Sequence, residues 1–298
     1  ARSKLIYAVE CSRLPPKAGA GKRDSFMPEL PEVETTLRGI APALQGRCIT
    51  DIVVRNPSLR WPVPVEVGQA AGQEVSACRR RAKYLLLDLS GRRGGLMIHL
   101  GMSGSLRVCP ADEEPRKHDH VDITLDNGQC VRFNDPRRFG VFTWWDYPAE
   151  DHALIRDLGP EPLSDDFSGS QLHTLSRGRK GAVKNFIMDG KVVVGVGNIY
   201  ASEALFMAGI HPARAAGRVS ATRYRALESA IRDVLERAIR HGGTTLRDFL
   251  NSEGNPGYFA QELLVYDREG QPCFQCGRAI KRKVIGQRSS YYCPSCQR

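Results

Sequence analysis

Pro28 and Glu29 open the segment Met27-Pro28-Glu29-Leu30-Pro31-Glu32, and their types point to amine catalysis. Cutting the chain after Met27 leaves proline as its first residue. A terminal secondary amine attacks an electrophilic carbon and yields an iminium ion, which carries positive charge with no deprotonation step and serves as an electron sink. A helix must hold this pair. Pro31 suits a first helical position, and Leu30, Val33, Leu37, Ile40 and Leu44 follow at helical spacing. An amine at a helix N-terminus meets partial positive charge, which disfavours its protonated form and leaves more of it reactive near neutral pH. While Met27 is attached, the Pro28 nitrogen is acylated and inert.

A second group with chemistry in its spacing closes the chain. Cys273-x2-Cys276 and Cys293-x2-Cys296 are separated by sixteen residues, the pattern of a four-cysteine zinc site in which each pair wraps one edge of a tetrahedron. Four thiolates leave no open position for a substrate water, so the metal is expected to be structural. Two disulfides are the alternative, disfavoured in a reducing compartment. Between the pairs lie Arg278, Lys281, Arg282, Lys283 and Arg288 with no acidic residue, a basic edge suited to phosphates.

The elements that must position these groups divide the chain. Residues 1–26 hold six basic and two acidic side chains, Pro15-Pro16 and Gly19-Ala20-Gly21, without a sustained apolar period. Their longest apolar run, Leu5 to Val9, is too short for a signal peptide or a membrane span. They are expected to be an extraneous or disordered basic tail, with the working protein starting after Met27. From Cys48 to Tyr147 the pattern is strand-like: Ile49–Arg55, Tyr84–Leu89, Leu96–Leu100, Ser105–Val108, Val121–Leu125, Val131–Phe133 and Val141–Trp145. Asn127-Gly128 between two of these segments signals a type I′ hairpin. Leu158-Gly159-Pro160-Glu161-Pro162-Leu163 reads as a linker, after which the period becomes helical. Ser220 caps a helix carrying Tyr224, Leu227, Ile231, Val234 and Ala238 on one face, and Gly242-Gly243 ends it. The expected architecture is α+β: a β-sandwich with flanking helices over 27–157, a helical domain over 158–270, and a zinc finger hairpin over 271–298.

Charge narrows the partner. The net charge is +10 and the pI about 9.3, of which the first 26 residues carry +4, so the remainder keeps an excess that suits a polyanion. The other five cysteines lack regular spacing, so no secreted disulfide framework is indicated. Without an export signal, a reducing cytoplasm is the expected location.

Six motifs in order resemble those of formamidopyrimidine-DNA glycosylases. They are Pro28-Glu29-Leu30-Pro31-Glu32-Val33-Glu34, Arg80-Arg81-Ala82-Lys83-Tyr84, His99-Leu100-Gly101-Met102-Ser103-Gly104, Asp135-Pro136-Arg137-Arg138-Phe139-Gly140, Gly195 to Glu203, and the zinc cysteines. The resemblance runs from Met27 to Arg298 and implies a bifunctional enzyme of base excision repair. Such an enzyme excises 8-oxoguanine and formamidopyrimidines from double-stranded DNA and nicks the strand by β,δ-elimination. It implies Pro28 as the nucleophile forming a Schiff base at C1′, Glu29 as its acid–base partner, and Lys83 and Arg288 as cations that contact phosphate and assist elimination. Met102, Arg137 and Phe139 would fill the gap left by an extruded lesion, since C1′ cannot be reached inside a duplex. His118, Lys180, Asn198 and Tyr200 would contact DNA, the last two at the start of a helix–two-turn–helix element. The resemblance further implies one structural Zn2+, a monomer, and nucleoid association through DNA. Gly254-Asn255-Pro256-Gly257-Tyr258-Phe259 would be a loop closing over the extruded base. Two rivals remain open: an endonuclease VIII-like glycosylase for oxidised pyrimidines, and a non-catalytic zinc-stabilised DNA-binding protein if the tail is retained. Glu29-Leu30-Pro31 and Arg137-Arg138-Phe139 favour the purine enzyme over the first.

Overall fold

The computed structural model describes residues 27–91, 94–243 and 262–298. The tail before Met27 and the expected lesion-capping loop at Gly254–Phe259 lie outside the described residues. Helix α1 (Leu30–Leu44) buries Leu30, Val33, Leu37, Ile40 and Leu44, the apolar row that the sequence spacing marks out. Eight strands follow: β1 (Ile49–Val54), β2 (Val75–Arg81), β3 (Tyr84–Leu89), β4 (Gly94–His99), β5 (Ser105–Pro110), β6 (Asp119–Leu125), β7 (Gln129–Asn134) and β8 (Val141–Asp146). They form two antiparallel four-stranded sheets, ordered β1-β6-β7-β5 and β2-β3-β4-β8. Alternate side chains such as Leu85, Leu87, Leu96, Ile98, Val121, Ile123, Val131 and Phe133 meet between the sheets in one apolar core, shared with α1.

The second half holds α2 (Gly169–Ser176), α3 (Val183–Ile187), α4 (Asn198–Met207) and α5 (Ala221–Arg240), then the hairpin β9 (Lys281–Ile285) and β10 (Arg288–Tyr292). Ser220 caps α5 by accepting from the Arg223 N–H at 3.4 Å, and Gly242 and Gly243 after it have positive φ. Cys273, Ile280, Tyr291 and Cys293 belong to the same apolar core as α4 and α5. The finger is therefore packed onto the helices rather than suspended from them.

Two features depart from the sequence pattern. Strand β2 has no clean alternation in sequence, because Arg79, Arg80 and Arg81 occupy its second half, yet it pairs with β3 from Val75 to Arg81. Its arginines are satisfied by carboxylates: Arg79 by Asp88 at 2.7 Å, Arg80 by Glu34 at 2.8 Å and Glu161 at 2.7 Å, Arg81 by Glu161 at 2.9 Å. The segment read as a linker is the source of Glu161. Arg81 also donates to the carbonyls of Leu158 (3.0 Å) and Gly159 (2.7 Å), so the connection between the halves is bonded onto the sandwich.

Candidate active site and nucleic-acid interface

The starts of two helices and several turns meet at a cavity of about 360 Å³ lined by Met27, Glu29, Lys83, Asn198, Tyr266 and Arg288, among others. Glu29 is the N-cap of α1 and only 2% exposed. Its carboxylate reaches across the interface to the start of α4. It accepts from Gly197 N–H at 2.8 Å, Ile199 N–H at 2.9 Å and Tyr200 N–H at 3.4 Å. A carboxylate at a helix N-terminus satisfies orphan donors and meets favourable dipole charge. Gly197 is required here because a Cβ at that position would overlap the Glu29 carboxyl group.

Burial nevertheless raises the Glu29 carboxyl from 4.5 to about 7, against the Lys83 charge and the N–H bonds of Ile199 and Tyr200, and with the repulsion of Glu32. That is a value suited to proton exchange at neutral pH. Glu32 is held in turn by the Glu29 N–H at 2.9 Å and the Tyr200 hydroxyl at 2.7 Å.

Lys83 sits in the two-residue turn between β2 and β3, preceded by Ala82 at φ 54°. An alanine in that conformation is strained, and the Ala82 N–H is held there by Glu161 Oε1 at 2.6 Å. Burial pushes the Lys83 ammonium below the ordinary lysine range. Glu29 and Glu32 oppose that shift and Arg288 adds to it, which places the four charges in one electrostatic unit.

Arg288 comes from the opposite side. It opens β10 directly after the Gly286-Gln287 turn, whose residues both have positive φ as a type I′ hairpin demands. The cysteine cluster behind it tests well as a zinc site. Cys276 and Cys293 Sγ atoms lie 3.5 Å apart, Cys273 and Cys296 Sγ atoms 3.9 Å, and all four within 4.8 Å. A tetrahedron with Zn–S bonds of about 2.3 Å has edges of about 3.8 Å. One structural zinc ion fits these four thiols.

A second cavity of about 520 Å³ shares Met27 and Arg288 with the first and is lined by Arg60, Gly101, Met102 and Phe139. Met102 lies in the loop before β5, and Arg137 and Phe139 in the loop after β7. Asp135 ties the loops together by accepting from Ser103 Oγ at 2.6 Å and Gly140 N–H at 2.7 Å. The Arg137 guanidinium lies 5.1 Å over the Phe139 ring, and Phe139 is 43% exposed, a large apolar side chain aimed outward.

Of the residues singled out from sequence, Glu29, Lys83, Asn198 and Arg288 share the first cavity, and Met102 and Phe139 the second, with Arg137 beside Phe139. His118 lies apart from both, at φ 73° with its ring 6.2 Å from that of His120. Lys180 is exposed in the loop after α2. Tyr200 requires a correction: it has no exposed surface and its hydroxyl supports Glu32, so it cannot touch DNA directly. Its position in a helix start gave no sign of that burial. The N-terminus of α4, a place where backbone N–H groups favour an anion, is occupied by the Glu29 carboxylate. Sequence reasoning missed Arg60, Tyr266, Gln287 and Asp135. Only Asp135 carried a signal, as the acid opening the Asp135–Gly140 motif.

Fold and site together define a two-lobed protein that sets a titratable carboxylate and two cations at a cleft edged by a zinc finger. Known sequences say which. The formamidopyrimidine-DNA glycosylase N-terminal domain matches residues 27–142, the H2TH domain of the same glycosylase matches 158–250, and the zinc finger found in FPG and IleRS matches 270–298. The formamidopyrimidine-DNA glycosylase of Syntrophotalea carbinolica is 60% identical over 273 residues, 91% of this chain and 100% of the relative. The crystal structure of the MutM (Fpg) protein from Thermus thermophilus superposes with a TM-score of 0.81 at 37% identity, covering 91% of this chain and 98% of that one. Lactococcus lactis Fpg in complex with abasic-site DNA gives 0.83 at 29% identity, covering 90% and 99%. The chain belongs to the formamidopyrimidine-DNA glycosylase family, the enzymes of base excision repair that carry glycosylase and abasic-site lyase activity. Among the described residues no helix is long and apolar enough to cross a membrane.

Proposed function

We propose that the chain excises oxidised purines, 8-oxoguanine and formamidopyrimidines, from double-stranded DNA and then cleaves the strand by β,δ-elimination. One observation carries the residue assignment: Met27, Glu29, Lys83, Asn198 and Arg288 line one cavity. The Met27 carbonyl carbon is bonded to the Pro28 nitrogen, so a chain beginning at Pro28 turns a free secondary amine toward that space. The nitrogen lone pair attacks C1′ and the glycosidic electrons leave with the base, which takes up a proton. Opening of the sugar ring then gives the iminium, with Glu29, part-protonated near pH 7, supplying the proton to the ring oxygen. Lys83 assists proton transfer as the C2′ proton is lost and the 3′ phosphate departs. Arg288 holds the flanking phosphates and assists the second elimination, and water then hydrolyses the iminium to restore Pro28.

Met102, Arg137 and Phe139 enter the space of the extruded nucleotide, Arg137 facing the orphaned base, and offset part of the unstacking cost. Asn198, His118 and Lys180 take the DNA backbone, while Tyr200 acts by holding Glu32. The enzyme works as a monomer in the cytoplasm, associated with the nucleoid through DNA.

Borohydride trapping on 8-oxoguanine duplex tests the nucleophile. Protein beginning at Pro28 is expected to form the covalent adduct and the intact 298-residue chain not to; equal trapping by a demonstrably unprocessed chain overturns the assignment. In the Pro28 form, Glu29→Gln is expected to keep gel-shift affinity and lose roughly 10²- to 10⁴-fold in single-turnover excision.

A further inference from the structure

Lys184, in α3, has no exposed surface, yet its Nζ is held by acceptors from two other elements. It donates to Asn198 Oδ1 at 2.6 Å, to Ser290 Oγ at 2.7 Å and to the Ser289 carbonyl at 3.1 Å. Ser290 Oγ in turn donates to the Arg288 carbonyl at 3.4 Å, so its lone pair is free to face the lysine. An ammonium group buried this completely is tolerable only when its protons are taken up by such partners.

We propose that Lys184 is a positioning residue that sets which end of the Asn198 amide faces DNA, presenting the NH2 rather than the carbonyl oxygen to a phosphate. A side-chain amide has one donor end and one acceptor end of nearly the same shape, whereas an ammonium only donates. Placed 2.6 Å from one end, Lys184 selects oxygen there. The amide nitrogen is then turned toward Tyr266 Oη, 3.4 Å away, and both residues line the 360 Å³ cavity. The flipped amide would set N–H against the ammonium and oxygen against the phosphate, two repulsions from one rotation. The same lysine holds Ser289 and Ser290, the residues next to Arg288, so two groups directed at phosphate share one anchor. Neither connection is local: the lysine stands 14 residues from Asn198 and 106 from Ser290.

The inference rests on the proposed phosphate role of Asn198, and a double-mutant cycle separates the two. Full-length wild type, Lys184→Met, Asn198→Ala and the double variant are titrated with duplex DNA bearing a tetrahydrofuran abasic analogue, and zinc per chain is measured for each. Lys184→Gln, which keeps a polar head among the buried acceptors, is carried through the same cycle in case the methionine variant does not fold. Asn198→Ala is expected to weaken binding about tenfold, the order for a lost hydrogen bond to a charged group. Lys184→Met should weaken it similarly, and the double variant no further, with one zinc retained throughout. The slope of log affinity against log salt should stay unchanged in Lys184→Met, since a cation touching phosphate directly would lower it by about one. A full additional loss on combining the two substitutions, loss of zinc in both Lys184 variants, or a reduced salt slope overturns the inference while leaving Asn198 on the phosphate. Wild-type binding by Asn198→Ala overturns the phosphate assignment itself and the inference with it.

Discussion

Two hairpin turns deliver one cation each to the same cavity from opposite lobes, and they are made rigid by different physics. The β2–β3 turn carrying Lys83 stands on the sandwich, whose core of interleaved aliphatic and aromatic side chains fixes both of its strands. Its strained Ala82 is pinned by Glu161. The β9–β10 turn ahead of Arg288 has Gly286 and Gln287 both at positive φ and little core of its own: Lys281, Arg282, Lys283 and Val284 are all exposed. It depends on four cysteines, on the apolar contacts of Ile280, Tyr291 and Cys293 with the helices, and on Lys184. Hydrophobic burial holds a turn wherever enough chain surrounds it. A finger of some thirty residues lacks that surface, so metal and a buried cation take over.

The largest way to break this symmetry is to remove the metal. Cys293→Ser, or chelation, should release zinc and lower DNA affinity by at least about two orders of magnitude, because binding of the ion supplies the folding free energy of the hairpin. The β-sandwich should stay folded, as read by near-ultraviolet circular dichroism and metal analysis on one sample. Co-unfolding of the sandwich would show that the lobes are not independently stabilised.

A smaller effect distinguishes the two cations themselves. Lys83 lowers the Glu29 pKa and Arg288 is not among its causes. Lys83→Met should therefore move the falling limb of the excision pH profile upward from about 7, while Arg288→Met leaves the limb in place and weakens binding. The check is single-turnover excision from about pH 5.5 to 9 for both variants, a window that brackets the Glu29 titration. A limb that moves with Arg288 instead would reassign the partner of Glu29.

The smallest effect concerns stability. Glu29 binds its proton more tightly folded than unfolded, with a folded value of about 7 against 4.5. Its contribution is fully present below about pH 4.5, declines as pH rises, and levels off above about 7, amounting to a few kcal/mol at most. Urea unfolding across that window should show the decline in wild type and a flatter profile in Glu29→Gln.

Much of this was legible in sequence wherever a signal is local. The α1 row, the Ser220 cap, the Gly-ended α5, most strands and the cysteine spacing each express a period or a motif within a few residues, and each element lies close to where that pattern puts it. Strand β2 escaped because its arginines are neutralised by Glu34, Asp88 and Glu161, and only the last of these lies in the segment that read as a linker. The proposed catalytic pair, Pro28 and Glu29, was legible as candidate chemistry, since a proline that becomes a terminal amine beside a carboxylate suits amine catalysis.

What sequence alone determined, then, is the inventory: an adjacent proline and glutamate at Pro28-Glu29, basic residues at Lys83 and Arg288, and a four-thiol metal site. What only the tertiary structure decided is how these groups act on one another. Glu29 titrates near neutrality because it is buried between α1 and α4, whose N–H groups, 168 to 171 residues away, hold its carboxylate and only partly offset that burial. Tyr200 is a buried support because Glu32 lies opposite it, and Asn198 has a defined amide face because Lys184 is beneath it. A pKa and an amide orientation are set by burial and by partners brought together across the chain, quantities that no local pattern of residues encodes.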